Sequence, residues 1–260
     1  VKRLSVIGIG AGDPDALTLR AVAAMRRCDV FFLLEKEGQG KDDLTGFRRE
    51  VLARARPEGG YRVVEAKSPE RPQSGEAAAY RAGIAAWRAE RRKIFRRMME
   101  ELGPQERGGF LIIGDPCLYD GTAEILNELA REGLELDFEV IPGISSLQLL
   151  AARHRLALNR IGEDITVMTA RRLVKADPAA ISNALVVLDG RASFRHLAES
   201  DLDIYWGAYL GMAREILIAG PLRDKAVEIA ATIERERARH GWIMDTYLLR
   251  RPHRGDGEIV

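Results

Sequence analysis

Short apolar runs alternate along this chain with longer stretches whose apolar positions recur at helical spacing. Residues 4–9 form the first run. They lead to a stretch at 17–28 in which Leu17, Ala21, Ala24 and Met25 share a face, which predicts a strand followed by a helix. The same reasoning predicts a buried strand at 30–34, a helix at 44–56 and a strand at 61–66. A polar break at 68–75 carries two prolines. Beyond it, 77–102 predicts a long helix with Trp87, Ile94, Met98 and Leu102 along one side. Its basic run, Arg88-Ala89-Glu90-Arg91-Arg92-Lys93, reads as a solvated face. Strands at 110–113 and 138–141 then alternate with helices at 122–131 and 146–154. This alternation predicts an α/β fold, with a mostly parallel sheet covered by helices on both faces.

From about residue 155 the apolar runs crowd together. Strands are predicted at 165–169, 185–188, 204–210, 216–219 and 242–250, with a charged amphipathic helix at 224–240. That spacing suggests a mixed sheet. Two α/β domains are therefore expected, 1–153 and 154–260, with the boundary inside 153–163.

The boundary falls where a series of strand exits stops. The 110–113 strand ends in Gly114-Asp115-Pro116-Cys117-Leu118-Tyr119-Asp120, and the first strand runs into Gly8-Ile9-Gly10-Ala11-Gly12-Asp13-Pro14. The 138–141 strand ends in Pro142-Gly143-Ile144-Ser145-Ser146. Ligands of open α/β sheets sit outside the carboxyl ends of the strands, so three such exits in one half predict one shared ligand site. The first exit fails as a dinucleotide fingerprint. Asp13 stands where the third glycine is needed, and Pro14 and Asp15 follow where the phosphate-binding helix should begin. Asp115 is a candidate helix cap, but Thr122 is better placed for that task, which leaves Asp115 for a ligand. Ser145 and Ser146 open a helix and are expected to cap it whatever else they do.

Composition narrows the partners. The net charge of +1 gives no nucleic-acid footprint, and no apolar run approaches the roughly 20 residues that span a bilayer. The first residues enter a strand at once, with no secretory signal. Cys28 and Cys117 follow no metal-ligand spacing. A cytoplasmic, disulfide-free protein without a metal is the expectation. Of the 40 basic residues, 33 are Arg. A GC-rich gene accounts for that bias, and so does a partner rich in carboxylates, which guanidinium groups pair bidentately. His154, flanked by Arg153 and Arg155, is a candidate for such a partner or a structural residue suited to a helix end.

The Gly-Asp-Pro and Pro-Gly-Ile-Ser motifs resemble those of the tetrapyrrole methyltransferase superfamily, whose members use S-adenosyl-L-methionine (SAM) to make cobalamin and sirohaem precursors. Asp29-Val30-Phe31-Phe32, Trp206-Gly207-Ala208-Tyr209-Leu210-Gly211 and Gly241-Trp242-Ile243-Met244-Asp245-Thr246-Tyr247-Leu248-Leu249 narrow the resemblance to members acting on precorrin-5. The resemblance spans nearly the whole chain. It implies two α/β domains with a ligand cleft between them, a polycarboxylate precorrin substrate and a homodimer. The implied reaction takes precorrin-5, SAM and water to precorrin-6A, S-adenosyl-L-homocysteine and acetate. Alternatives of the same fold are another precorrin step, diphthine synthase or a ribosomal RNA ribose methyltransferase. A SAM- or tetrapyrrole-binding module without catalysis is the alternative of another class. The absence of a basic excess weighs against RNA.

The same resemblance assigns residues. Pro14 reaches the SAM pocket, Ile113, Gly114 and Asp115 contact SAM, Leu118 and Tyr119 shape the pocket, and Ser145 and Ser146 lie against it. SAM carries a sulfonium, a zwitterionic end and a ribose, which suit exposed backbone groups and a nearby carboxylate. Gly114 allows close approach of the backbone. In the second half Leu188 and Asp189 offer backbone contacts, Ala208, Tyr209 and Leu210 line the adenine side, and Gly220, Pro221 and Leu222 close the pocket. Family members carry methionine where this chain has Asp189 before Gly190. Deacetylation requires water to attack a carbonyl, and Asp13, Tyr119 and Asp120 are the candidate catalytic residues for it.

Overall fold

The apolar runs of the first half become β1 (Lys2–Gly8), β2 (Val30–Glu35), β3 (Arg62–Lys67), β4 (Arg107–Ile112) and β5 (Leu136–Ile141). They pair in parallel in the order β3-β2-β4-β1-β5. The coordinates are a computed structural model that describes residues 1–35, 42–72 and 77–252. Residues 73–75 of the polar break and 253–260 of the second expected domain lie outside the described residues.

Both faces of this sheet are covered, as parallel strands require. Leu4 and Val6 of β1 pack with Ile94, Phe95, Met98 and Met99 of α3 (Ala77–Glu100) and with Ile125, Leu126 and Leu129 of α4 (Thr122–Arg131). Ile7 and Ile9 pack on the opposite face with Ala21, Ala24 and Met25 of α1 (Leu19–Arg26) and Phe47, Val51 and Leu52 of α2 (Asp42–Ala55). Thr18 caps α1 by accepting the Ala21 N–H at 3.0 Å, so the helix begins at Leu19 rather than at the predicted residue 17. In β4 two glycines make room for aromatic rings. A Cβ at Gly108 would stand 2.5 Å from Phe32 Cε2, and one at Gly109 3.0 Å from Phe31 Cδ1.

The basic run in α3 is more than a solvated face. Arg88, Arg92 and Arg96 pair with Glu124 and Glu128 of α4 and with Glu132 just past its end, at 3.0, 2.7 and 3.0 Å. The regular step of four residues on both helices makes a ladder that locks them side by side. Lys93 stays exposed.

The second unit is built from α5 (Ser146–Arg153), β6 (Thr166–Thr169), α6 (Ala170–Leu173), β7 (Asn183–Val187), β8 (Asp203–Ala208), β9 (Ile216–Pro221), α7 (Leu222–His240) and β10 (Asp245–Arg250). The strand order is β6-β7-β10-β8-β9. β6 and β7 run parallel and the other pairs antiparallel, so the sheet is mixed. Leu222, Ala226, Ile229 and Ile233 of α7 enter a core with Phe194, Trp206 and Tyr247. Gly241, with φ +74°, ends α7 by donating its N–H to Arg237 O. The compact units are Val1–Ser145 and Ser146–Val260. α5 packs on β8 and β10, so it groups with the second half rather than closing the first at residue 153. Among the described residues no helix is long and apolar enough to cross a membrane.

Candidate functional site

In the first unit the chain leaves β1 toward β2 and leaves β4 toward β5, and β1 and β4 are neighbours. Departure in opposite directions from adjacent strands opens a crevice at their carboxyl ends, the usual ligand position of an open sheet. The exits of β1, β4 and β5 meet there. Gly10 N–H donates to Gly114 O at 3.3 Å and Gly114 N–H to Gly10 O at 2.7 Å. A Cβ on Gly8 would lie 2.5 Å from Gly143 N and 2.8 Å from Pro116 Cδ, and one on Gly143 would lie 2.8 Å from Gly8 C. Close backbone approach therefore requires glycine at 8 and 143. Gly114 differs. Its φ is +78°, and a Cβ there would meet nothing within 4 Å beyond its chain neighbours, so the direction a side chain would take is open.

The three carboxylates of these exits each hold a turn. Asp13 Oδ1 accepts Asp15 N–H at 2.9 Å and starts the 3-10 turn Pro14–Ala16. Asp115 Oδ1 accepts Cys117 N–H at 2.8 Å, and Leu118 N–H donates to Asp115 O at 3.1 Å. Asp120 Oδ1 accepts Thr122 N–H at 2.8 Å. The expected cap of α4, Thr122, is instead a buried residue already inside the helix. Its hydroxyl is therefore one position too late, and Asp120 supplies the carboxylate. Ile113 packs against the core beneath α1 and α2. Ser145 is buried at the end of the first unit, and Ser146 is the first residue of α5.

Among the described residues, five besides glycine have positive φ: Tyr119, Arg155, Leu188, Ala192 and Tyr209. Three of them, Tyr119, Leu188 and Tyr209, are residues that the family resemblance places at SAM. Such a conformation costs about 1–2 kcal/mol per residue and clusters where binding needs a particular backbone path. Tyr119 and Leu188 are also 52% and 63% exposed.

Within the second unit the assigned side chains point mostly inward. Asp189, 3% exposed, accepts four hydrogen bonds. They come from Arg191 N–H and Ser193 Oγ–H at 3.0 Å each, Ser193 N–H at 2.7 Å and Tyr247 O–H at 2.6 Å. Its carboxylate is committed to the 188–193 loop, leaving only its backbone for a ligand. Tyr209 donates its hydroxyl to Trp242 O at 2.6 Å, and Arg214 stacks on its ring at 4.2 Å. Ala208, Leu210 and Leu222 are buried. Gly220, φ +143°, and Pro221 end β9, and Pro221 leads directly into α7. His154 Nε2 lies 3.0 Å from Trp206 O, its ring stands edge-on to Tyr205, and burial lowers its pKa. It is a packed structural histidine.

Burial, with the Asp189 carboxylate adding to it, pushes Asp245 from 3.8 up to about 7, against the Trp206 indole N–H that donates to its Oδ2. The folded protein then holds this proton more tightly than the unfolded chain does. Its contribution to stability is full below about pH 4 and declines as pH rises toward 7. Asp245→Asn, which keeps an acceptor for Trp206, is expected to remove that decline. Urea midpoints of both proteins from pH 4 to 8 check this; parallel profiles would refute it.

Burial raises the Cys28 thiol to about 11, and Cys117 is also raised, so neither is a ready thiolate. Among the described residues no group of three or more His, Cys, Asp or Glu side chains is arranged to hold a metal.

The chain matches the Tetrapyrrole (Corrin/Porphyrin) Methylases across residues 3–226 and belongs to that family. It is 38% identical over 253 residues to a Sinorhizobium protein named precorrin-6A synthase (deacetylating), covering 96% of each chain. It resembles the crystal structure of the cobalamin synthesis related protein CobF from Corynebacterium diphtheriae with a TM-score of 0.81 and 32% identity, over 96% of this chain and 98% of that one. The uroporphyrin-III C-methyl transferase of Thermus thermophilus, complexed with S-adenyl homocysteine, shares the fold at a TM-score of 0.60 and 17% identity, over 95% of this chain and 97% of that one.

The sequence reading did not anticipate the Gly8–Gly143 approach or the inward turn of Asp189. It also placed Arg91 on a solvated face. A glycine directly at the end of β1 was the one available signal for the first of these.

Proposed function

We propose that this chain is a SAM-dependent C-methyltransferase that converts precorrin-5 to precorrin-6A with release of acetate. The observation that carries this reading is the 38% identity to precorrin-6A synthase (deacetylating) across 96% of both chains. The residues present fit SAM. Gly114 leaves room for a ligand where a side chain would stand, and Tyr119, Leu188 and Tyr209 hold positive-φ backbone paths of the kind that cluster at ligand sites. Asp115 supplies a carboxylate suited to the amino group or ribose. When bound, SAM supplies an electrophilic methyl group. The chain's own contribution is alignment of the substrate carbon and assistance to the water. A cytoplasmic homodimer belongs to the same proposal.

The acetyl group occupies the carbon to be methylated and leaves it no free valence. Water adds to the acetyl carbonyl, the bond from that carbonyl to the ring carbon breaks, and acetate departs. The electron pair stays on the conjugated macrocycle as the nucleophile for the methyl group, and the water proton passes to a base. Asp120 and Asp13 are the proposed bases, each with Oδ1 fixed by a backbone N–H, and Tyr119 adjoins Asp120. Deacetylation therefore precedes or accompanies methylation.

Asp120→Asn or Asp13→Asn keeps the Oδ1 hydrogen bond and is expected to slow acetate release about 100-fold or more, with SAM affinity unchanged. Rapid-quench experiments with labelled acetyl and methyl groups test both points. A methylated species that keeps its acetyl group at the same carbon would overturn the order. Wild-type protein that releases no acetate would overturn the assignment.

A further inference from the structure

Arg91 is the one member of the α3 basic run whose geometry the fold does not explain. Arg88, Arg92 and Arg96 are spent on the α4 ladder, and Lys93 pairs with Glu90 at 3.2 Å. Arg91 instead packs against aromatic rings, its guanidinium carbon 4.9 Å from the Trp87 centroid and 5.5 Å from that of Phe95. Its Nε is buried and has no hydrogen-bond partner. A buried N–H without an acceptor is costly. Burial lowers its pKa, and the Asp120 carboxylate acts against that.

The position of this cation matters. Arg91 Nη1 is 3.9 Å from where a Cβ on Gly121 would stand, beside the Tyr119–Asp120 exit. Trp87, against which it stacks, is fixed by its indole N–H donating to Pro69 O at 2.9 Å. Arg71 approaches the same indole at 5.5 Å. Two guanidinium groups thus share one tryptophan next to the β4 exit.

We propose that Arg91, with Arg71 beside it, is a substrate-binding residue that takes a peripheral carboxylate of the tetrapyrrole. The proposal rests on the precorrin reading for its substrate class. A planar fork stacked on Trp87 and Phe95 suits bidentate carboxylate recognition through its two terminal nitrogens, of which Nη1 stands beside Gly121.

The test uses uroporphyrin, a stable polycarboxylate tetrapyrrole, and its fully amidated, uncharged form, with Trp fluorescence as the readout. Arg91→Met keeps contact with Trp87 and Phe95 and removes the charge. It is expected to bind uroporphyrin roughly 10- to 100-fold more weakly and to bind the amidated form as the wild type does. Its thermal midpoint should not fall, because the substitution removes a buried unpaired N–H and keeps an apolar side chain against Trp87 and Phe95. Arg91→Lys is expected to lie between the two, since an ammonium lacks the fork. In turnover the KM for precorrin rises while SAM affinity stays constant. Equal uroporphyrin affinity in Arg91→Met and wild type would overturn the proposal. So would equal losses for the charged and amidated forms, or no uroporphyrin binding by the wild type. Wild-type protein that binds uroporphyrin through Arg91 yet does not methylate precorrin-5 would overturn the reaction and leave the subsite standing.

Discussion

Gly114→Val is expected to weaken SAM binding about 100-fold or more while the protein remains folded. Beyond its two chain neighbours nothing lies within 4 Å of a Cβ at this position, so the new side chain starts out into open space. It projects into the space in which the cofactor is proposed to meet the backbone, and displacement of a reacting group by about 1 Å already costs about 100-fold in rate. The φ of +78° adds strain, about 1–3 kcal/mol for a residue with a side chain. A domain stable by roughly 5–15 kcal/mol tolerates that loss. Gly114→Ala separates the two effects, since it carries backbone strain of about 1–2 kcal/mol with a smaller intrusion. Calorimetry with SAM gives the affinity, and urea denaturation confirms that the variant is folded. A folded Gly114→Val protein with wild-type SAM affinity would remove this glycine from the pocket.

Asp189→Ala is expected to destabilise the protein by about 3–5 kcal/mol, the range for breaking a buried charged network. Arg191 N–H, Ser193 N–H and Tyr247 O–H would lose their acceptor together, and each buried unsatisfied group costs about 1–3 kcal/mol. Asp189→Met tests this more sharply. The methionine thioether is only a weak acceptor and cannot hold these donors. In this chain Asp189→Met should therefore destabilise nearly as much as Asp189→Ala. Equilibrium urea unfolding measures both. A methionine variant as stable as the wild type would show that the 188–193 loop does not depend on the carboxylate. The neighbouring Leu188 holds φ +58°, so loosening this loop is also expected to lower SAM affinity.

Much of the fold was legible along the chain because hydrophobic periodicity is a local property. The helix predicted at 122–131 is α4 (Thr122–Arg131), and the run at 204–210 contains most of β8. The strand-exit glycines were legible for a related reason, since a turn that needs positive φ or bare backbone selects glycine whatever lies around it. Gly114 and Gly10, with φ of +78° each, are examples. The family motifs then carried the assignment of SAM-site residues.

Other features depended on partners far away in sequence. Nothing local places β1 between β4 and β5, or inserts the last strand, β10, between β7 and β8. Asp189 and Tyr247 meet only because β7 and β10 pair. Whether that carboxylate faces a ligand or the interior is therefore a tertiary outcome. Arg88 and Arg91 look alike in sequence, but the packing of α4 beside α3 gives Arg88 a glutamate and leaves Arg91 against Trp87 and Phe95. The sequence by itself determined the alternation of elements and the turns that demand glycine, because these follow from residues a few positions apart. The tertiary structure alone decided strand order and the orientation of charged side chains, because burial and partnership are set by segments that the chain brings together from a distance.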